Sequence, residues 1–198
     1  MQKETAGFGD HAVATMQANV TIPEKMGVEG FYQVECRDKD GNLKWTDEFP
    51  NLVMAVGKQL MFDSLLKVAV TVVGPYLGLL KSGYTAAAAD TMSITTANEF
   101  IAYSVPAGIQ RPIAVFASAT SSGTTPSNVT TSAATAITYT ITGAGGTVAG
   151  CFLALGPAAV VNFNSTAGTL YSAGNFTTAK AVTVNDTVAV TYSTTATS

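Results

Sequence analysis

Charge disappears from this chain part-way along it. Of its ten lysines and arginines and thirteen aspartates and glutamates, all but Lys180 and Asp186 lie before Pro112. Beyond that point Thr, Ser, Ala, Gly and Val dominate, and two stretches alternate strictly. Ile137, Tyr139 and Ile141 are interleaved with Thr138, Thr140 and Thr142, and Val188, Val190 and Tyr192 with Thr187, Ala189 and Thr191. A period of two puts the apolar set on one face of a strand and the hydroxyl set on the other. Strands of this kind bury their oily faces against one another, so the sequence predicts a mainly β protein with a β-sandwich or jelly-roll-like domain. A region so poor in acids and bases has little with which to run proton-transfer or metal chemistry, which points away from an enzyme.

The 198 residues suffice for a substantial core. Their 47% hydrophobic and 12% charged content is apolar for a soluble domain, where charged residues usually make up about 25%. A large uncharged surface suits a protein covered by neighbours in an assembly. The net charge of −3, with no cluster of Lys and Arg, makes nucleic acid a poor partner. The start of the chain has no apolar stretch behind a basic segment, so we expect a chain kept in the cytoplasm. The longest apolar run, Val68–Leu80, is broken by Gly74-Pro75 and is shorter than the roughly 20 residues of a membrane span. Cys36 and Cys151 lack metal-site or disulfide-framework spacing and read as small buried apolar residues.

Residues 1–29 show weak periodicity and single apolar residues between polar ones. Such a segment buries too little to offset the ordering cost of about 1–2 kcal/mol per backbone residue unless a neighbour covers it. We therefore read an extended N-terminal arm, with Phe8, Val13, Met16, Val20 and Ile22 as its anchors, and a domain over residues 30–198. Phe31–Arg37 and Leu43–Glu48 alternate around the turn residues Asp38–Asn42, predicting a β-hairpin. Asn51 then caps a predicted amphipathic helix at about 52–67. Its residues Val53, Val56, Leu60, Met61 and Leu65 should face a sheet, and Lys58, Gln59, Asp63, Ser64 and Lys67 the other side. Further strands are expected at Val68–Val73, Tyr76–Leu80, Phe100–Tyr103, Ile113–Ala117, Ala134–Thr142, Thr147–Leu155 and Thr187–Tyr192, with polar loops at Ser118–Ser132 and Gly156–Gly168.

Motifs that carry chemistry elsewhere find simpler accounts here. Asp38-x-Asp40-Gly41-Asn42 begins like a calcium loop, but Phe49 stands where an EF-hand needs its bidentate Glu. Gly143–Gly146 lacks the Lys and the helix of a phosphate loop and reads as a hairpin turn. His11, the single histidine, lies in the arm, which leaves no triad. Asp38, Asp40, Asp47 and Glu48 could in principle form a glycosidase pair, yet they flank a polar turn beside Lys39 and Lys44. Trp45 and Tyr76 could stack on a ligand, but strand aromatics more often fill cores. No catalytic, metal or cofactor residue is expected.

Several segments, in order, carry a resemblance. Trp45-Thr-Asp-Glu-Phe-Pro-Asn51 leads into Val56-Gly57-Lys58 and Leu60-Met-Phe-Asp63. These are followed by Tyr76–Leu80, Ala89–Met92, Arg111-Pro112, Gly150–Leu153, Gly168–Phe176 and Asn185–Tyr192. The set, spanning roughly Gly30 to Tyr192, resembles a family of tailed-bacteriophage virion structural proteins, departing from its pattern at Asn185, where Gly is common, and after Met92. The resemblance implies a β-rich structural protein of a phage particle without distinguishing capsid from tail. Combined with the uncharged β region and the arm, it leads us to expect a capsid decoration, or cement, protein. Such a protein would bridge and stabilise major capsid protein subunits on the virion surface as a homodimer or homotrimer, after synthesis in the host cytoplasm. The alternative is a tail or baseplate component that recognises a host-surface carbohydrate through the two polar loops.

Overall fold

The computed structural model describes residues 27–122, 125–129 and 136–197. The chain enters as β1 (Gly27–Arg37), turns at Asp38–Asn42 and returns as β2 (Leu43–Pro50), the predicted hairpin. The Asp38 carboxylate accepts the backbone N–H groups of Asp40 and Asn42, both at 2.9 Å, and Gly41 takes φ +85°, a conformation that a side chain would disfavour. Next come β3 (Leu52–Val53), α1 (Ala55–Leu66), β4 (Val73–Lys81), a 3₁₀ turn at Met92–Ile94, α2 (Thr95–Asn98), β5 (Glu99–Phe100) and β6 (Tyr103–Ser104). The remainder is strand: β7 (Thr120–Ser122), β8 (Thr125–Val129), β9 (Ile137–Ile141), β10 (Gly146–Gly156), β11 (Thr169–Val182) and β12 (Thr187–Thr197).

These strands form two antiparallel sheets, and the predicted β-sandwich is the observed architecture. In the first sheet β12 is central. Its one edge pairs along its whole length with β1, from Gly27↔Thr197 to Arg37↔Thr187, and β2 lies outside β1. Its other edge is shared by β9 and β8, which pair in turn with β6 and β7. The second sheet has the order β3-β11-β10-β4-β5. Between the sheets lie Tyr32, Val34, Cys36, Tyr139, Val188, Val190 and Tyr192 from one side and Leu77, Leu79, Cys151, Leu153 and Phe176 from the other. The alternating residues of β9 and β12 face inward as their period required.

A smaller apolar layer lies on the far side of the second sheet. There Met54, Leu80, Met92, Phe152, Ala154, Leu170 and Ala173 are buried beneath Val56, Tyr84, Ala86 and Ile94. A sheet covered on both faces needs no polar face. Accordingly Tyr76–Leu80 and Val148–Ala154 are continuous buried runs rather than alternating ones.

Several sequence expectations are corrected. The helix covers Ala55–Leu66 rather than 52–67, because Leu52 and Val53 are taken up by pairing with β11. Its N-cap is Met54, which makes no side-chain cap, while Asn51 donates instead to the Tyr192 hydroxyl at 2.7 Å. Helix packing involves only the N-terminal half of α1: Gly57 and Leu60 are buried, but Leu65, expected to face the sheet, is 76% exposed. Val68–Val72 is not a strand; Ala69 sits at φ +67° and Val68 is exposed. The strand begins at Val73 and runs through Gly74-Pro75.

Phe100–Tyr103 is not one strand, since β5 pairs with β4 in one sheet and β6 with β9 in the other, and the chain crosses between sheets at Ile101-Ala102. Ile113–Ala117 is not a continuous strand: Ile113 and Phe116 are isolated bridge positions, Ile113 lying opposite Tyr76. Gly143–Gly146 joins strands of different sheets, so it is a sheet-crossing turn and not a hairpin. The supposed loop Ser118–Ser132 contains the paired strands β7 and β8. Gly27–Glu29, assigned to the arm, already belong to β1.

Candidate interaction surface

The acids and bases near the hairpin are held by structural partners. Asp38 serves the turn, and hydrogen bonds from the Asn42 side chain and from backbone N–H groups hold its carboxyl below the usual range. Asp40 pairs with Lys39 at 2.8 Å, and Glu48 accepts from Gln33 at 3.0 Å. Asp47 turns inward to Lys180 at 3.3 Å, and Lys44 reaches Asp186 at 2.5 Å. The two charges of the region after Pro112 are thus both matched by β2. Burial alone would push the Asp186 carboxyl up, but hydrogen bonds from Lys44 and from the Thr183 N–H outweigh it and hold it low. The four carboxylates considered as a glycosidase pair therefore belong to separate contacts.

One buried charge cluster escaped the sequence reading. Arg111 and Glu99 are both fully buried, and the guanidinium donates through Nε and Nη2 to the two carboxylate oxygens, each at 2.7 Å. Arg111 also donates to the carbonyls of Val160 (3.4 Å) and Ser165 (3.2 Å), and its guanidinium lies 5.3 Å from the centre of the Phe152 ring. Glu99 receives the Asn164 N–H at 2.6 Å, and Thr95 Oγ1 donates to Ser165 at 3.0 Å. Together these contacts fasten the loop Gly156–Gly168 to β5. With both side chains fully buried and engaged by these partners, the cluster acts as an internal clamp. In a chain so short of charge, a Glu and an Arg bordering the uncharged region were the available signal.

Tyr76 is buried in the second sheet. Trp45 is half-buried, its Nε1 donating to Ala181 at 3.3 Å and its ring meeting Phe176 edge-on at 5.7 Å. Both aromatics are therefore packing residues. Cys36 and Cys151 are buried free thiols, and burial pushes the Cys36 thiol up to about 11. Among the described residues no group of three His, Cys, Asp or Glu could hold a metal, and no helix is long and apolar enough to cross a membrane.

What the described surface does offer is exposed apolar area. The C-terminal half of α1 and the segment after it present Phe62, Leu65, Leu66, Val68, Val72 and Val73. Exposed apolar residues gathered on one element are a candidate interaction surface. A trough of about 340 Å³ runs along it, lined by Leu60, Met61, Leu65, Val72, Leu155 and Tyr171. On the other side of Met61 lies a second cleft of about 260 Å³, bounded by Gly27, Val28, Glu29, Lys58 and Phe62. The described chain therefore begins at one end of this apolar surface. The predicted anchors Phe8, Val13, Met16, Val20 and Ile22 lie outside the described residues. Ile109, Ile113 and Val115 are also exposed and line neither cleft. No family model, curated protein or solved structure matches the chain.

Proposed function

We propose that this chain is a structural protein of a tailed-phage particle, a decoration protein that binds assembled heads and bridges neighbouring major capsid protein subunits. The observation that carries the reading is the exposed apolar surface on α1, placed beside the point where the arm begins. Phe62, Leu66 and Val68 are exposed outside the trough, and a protein held in a lattice would have such apolar area covered. Lys180 pairs with Asp47 and Asp186 with Lys44, which supports the same reading, because covering the domain leaves neither charge unpaired. The resemblance of the ordered motifs to phage virion proteins supplies the identity of the assembly. Copies arranged as a dimer or trimer on a symmetry axis would turn several weak contacts into firm retention through effective concentration.

The test uses heads from which the protein has been removed. They are incubated with the full chain and with a shortened chain starting at Gly27, whose folding is checked by its thermal transition. We expect the full chain to cover the head surface and the shortened chain, still folded, to wash away. Equal occupancy by the two refutes the role of the arm. A full chain that ignores heads and is found instead on tails refutes the decoration reading.

A further inference from the structure

We propose that the trough along α1 is the docking site of the chain's own residues 20–22, so that the base of the arm is fastened in cis before its outer part reaches any partner. Gly27 and Val28 line the same cleft as Met61 and Phe62, and Met61 is also a wall of the apolar trough. The arm therefore starts within one side chain of the exposed surface.

Reach and pattern single out the occupant. From Gly27 back to Ile22 the chain spans up to about 17 Å when extended, while Met61 and Leu65 are about 6 Å apart along the helix. Ile22 can thus reach the trough with slack to spare. Val20-Thr21-Ile22 carries two β-branched apolar residues at a spacing of two, which an extended backbone places on one face. Pro23 follows immediately and biases Ile22 toward the extended conformation. The receiving surface is of matching chemistry: Leu65 is 76% exposed, Val72 is 42% exposed, and the trough lining is almost wholly apolar. Docking in cis also has a concentration advantage, since a tether this short holds the two parts at an effective concentration in the millimolar range. A second copy would have to be that concentrated to compete. On this view Phe8, Val13 and Met16 remain for an external partner, while Val20 and Ile22 fix the direction in which they are presented.

Lys25 supplies the assay, because trypsin cleaves after it and it lies between the docking residues and β1. Four full-length proteins are compared: the unaltered chain, Leu65→Asp, the double variant Val20→Asp/Ile22→Asp, and Ile109→Asp as a control at an exposed site that lines neither cleft. Cleavage at Lys25 tracks the fraction of open arm when docking is fast relative to proteolysis, and we expect both Leu65→Asp and the arm variant to be cut about tenfold faster than the unaltered chain and the control. The protection should persist on roughly hundredfold dilution, as an intramolecular contact must. The arm substitutions lie outside the described residues and keep the test valid even if Leu65→Asp is poorly behaved. Equal cleavage of all four proteins overturns the proposal, as does a response to the arm variant alone when Leu65→Asp is folded. Protection that fades on dilution also overturns it, assigning the trough to a second copy. No heads are involved, so this test can fail while the decoration reading stands, and the reverse.

Discussion

Replacing Arg111 by Met tests whether the buried clamp holds the loop Gly156–Gly168 in place. The substitution removes both donors to Glu99, leaving a fully buried carboxylate with one remaining protein donor, the Asn164 N–H. It also removes the donors to the Val160 and Ser165 carbonyls. Taking one partner from a buried ion pair typically costs about 3–5 kcal/mol, because the charge left behind has lost its compensation. Against a total stability of about 5–15 kcal/mol for a domain, that is a large fraction. For a chain of this size each kcal/mol moves the melting temperature by about 2–4 °C, so Arg111→Met should melt about 6–20 °C lower. The discriminating variant is Glu99→Leu/Arg111→Met. Replacing both ions by apolar groups of similar volume is often neutral or stabilising, so the double variant should recover most of the loss and show a strong favourable coupling in the mutant cycle. Urea denaturation of the four proteins of the cycle at neutral pH gives the numbers. A single variant losing less than about 1 kcal/mol, in the range of an exposed ion pair, would refute the reasoning. So would a double variant as unstable as the sum of its parts.

Two further outcomes follow from particular contacts. Gly57→Ala in the first turn of α1 should raise intrinsic helix propensity by at most about 1 kcal/mol, yet its Cβ would lie 2.4 Å from the Tyr171 carbonyl oxygen, which belongs to a strand that cannot move aside. Overpacking should win, with a net loss of about 1–3 kcal/mol in chemical denaturation; a gain in stability would show that α1 does not approach β11 this closely. Asp186→Asn concerns pH. The folded carboxyl titrates below its ordinary 3.8, so its contribution is present above that pH and is lost as pH falls through the lower folded value. The variant should be weaker than the unaltered chain at neutral pH and lose stability less steeply below pH 3.8, measured as urea midpoints against pH. Parallel acid limbs would remove Asp186 from the account.

How much was legible in the sequence depended on how many faces of an element meet solvent. The hairpin, β9 and β12 each have a wet face, so their alternation survives in the residues themselves and points to the correct inner set. β4 and β10 are covered on both sides, and their apolar runs located strands without saying what lay on the second face. β11 was hidden as a strand because Phe176, Thr177, Thr178 and Ala179 form an irregularity between the Gly150↔Asn175 and Val148↔Lys180 pairs, which breaks the period and inserts hydroxyls. Asn51 is a good helix cap by type, but whether it caps or bonds to Tyr192 is decided by a residue 141 positions away. Tertiary contacts override local preference here. The same holds for Glu99 and Arg111: their scarcity made them visible, but no local pattern joins them. The exposed apolar surface was the least legible feature, because Leu65 and Val72 look like any other apolar residues of a helix and a strand until their exposure among the described residues is seen.

The positions of charge and apolar exposure along β1 give the molecule two unlike ends. Its first residue, Gly27, shares with Met61 and Phe62 the cleft beside the apolar trough, and its last, Arg37, leads into the turn that holds Asp38, Lys39 and Asp40. Eleven residues of strand separate the two, or about 33 Å at the rise of an extended chain. Covering the turn with a partner would strip water from exposed ions, which surface pairing does little to compensate. Covering the α1 end removes apolar area from water and gains about 25 cal/mol for each Å² buried. For the decoration role proposed above, both terms favour the same orientation, with the Gly27 end against the assembly and the charged turn facing solvent. A bound copy would therefore tolerate charge reversal at Lys39 or Asp40 while losing retention on charge insertion at Leu65. Equal sensitivity at the two ends would mean that the polarity of the fold has no part in how the protein binds.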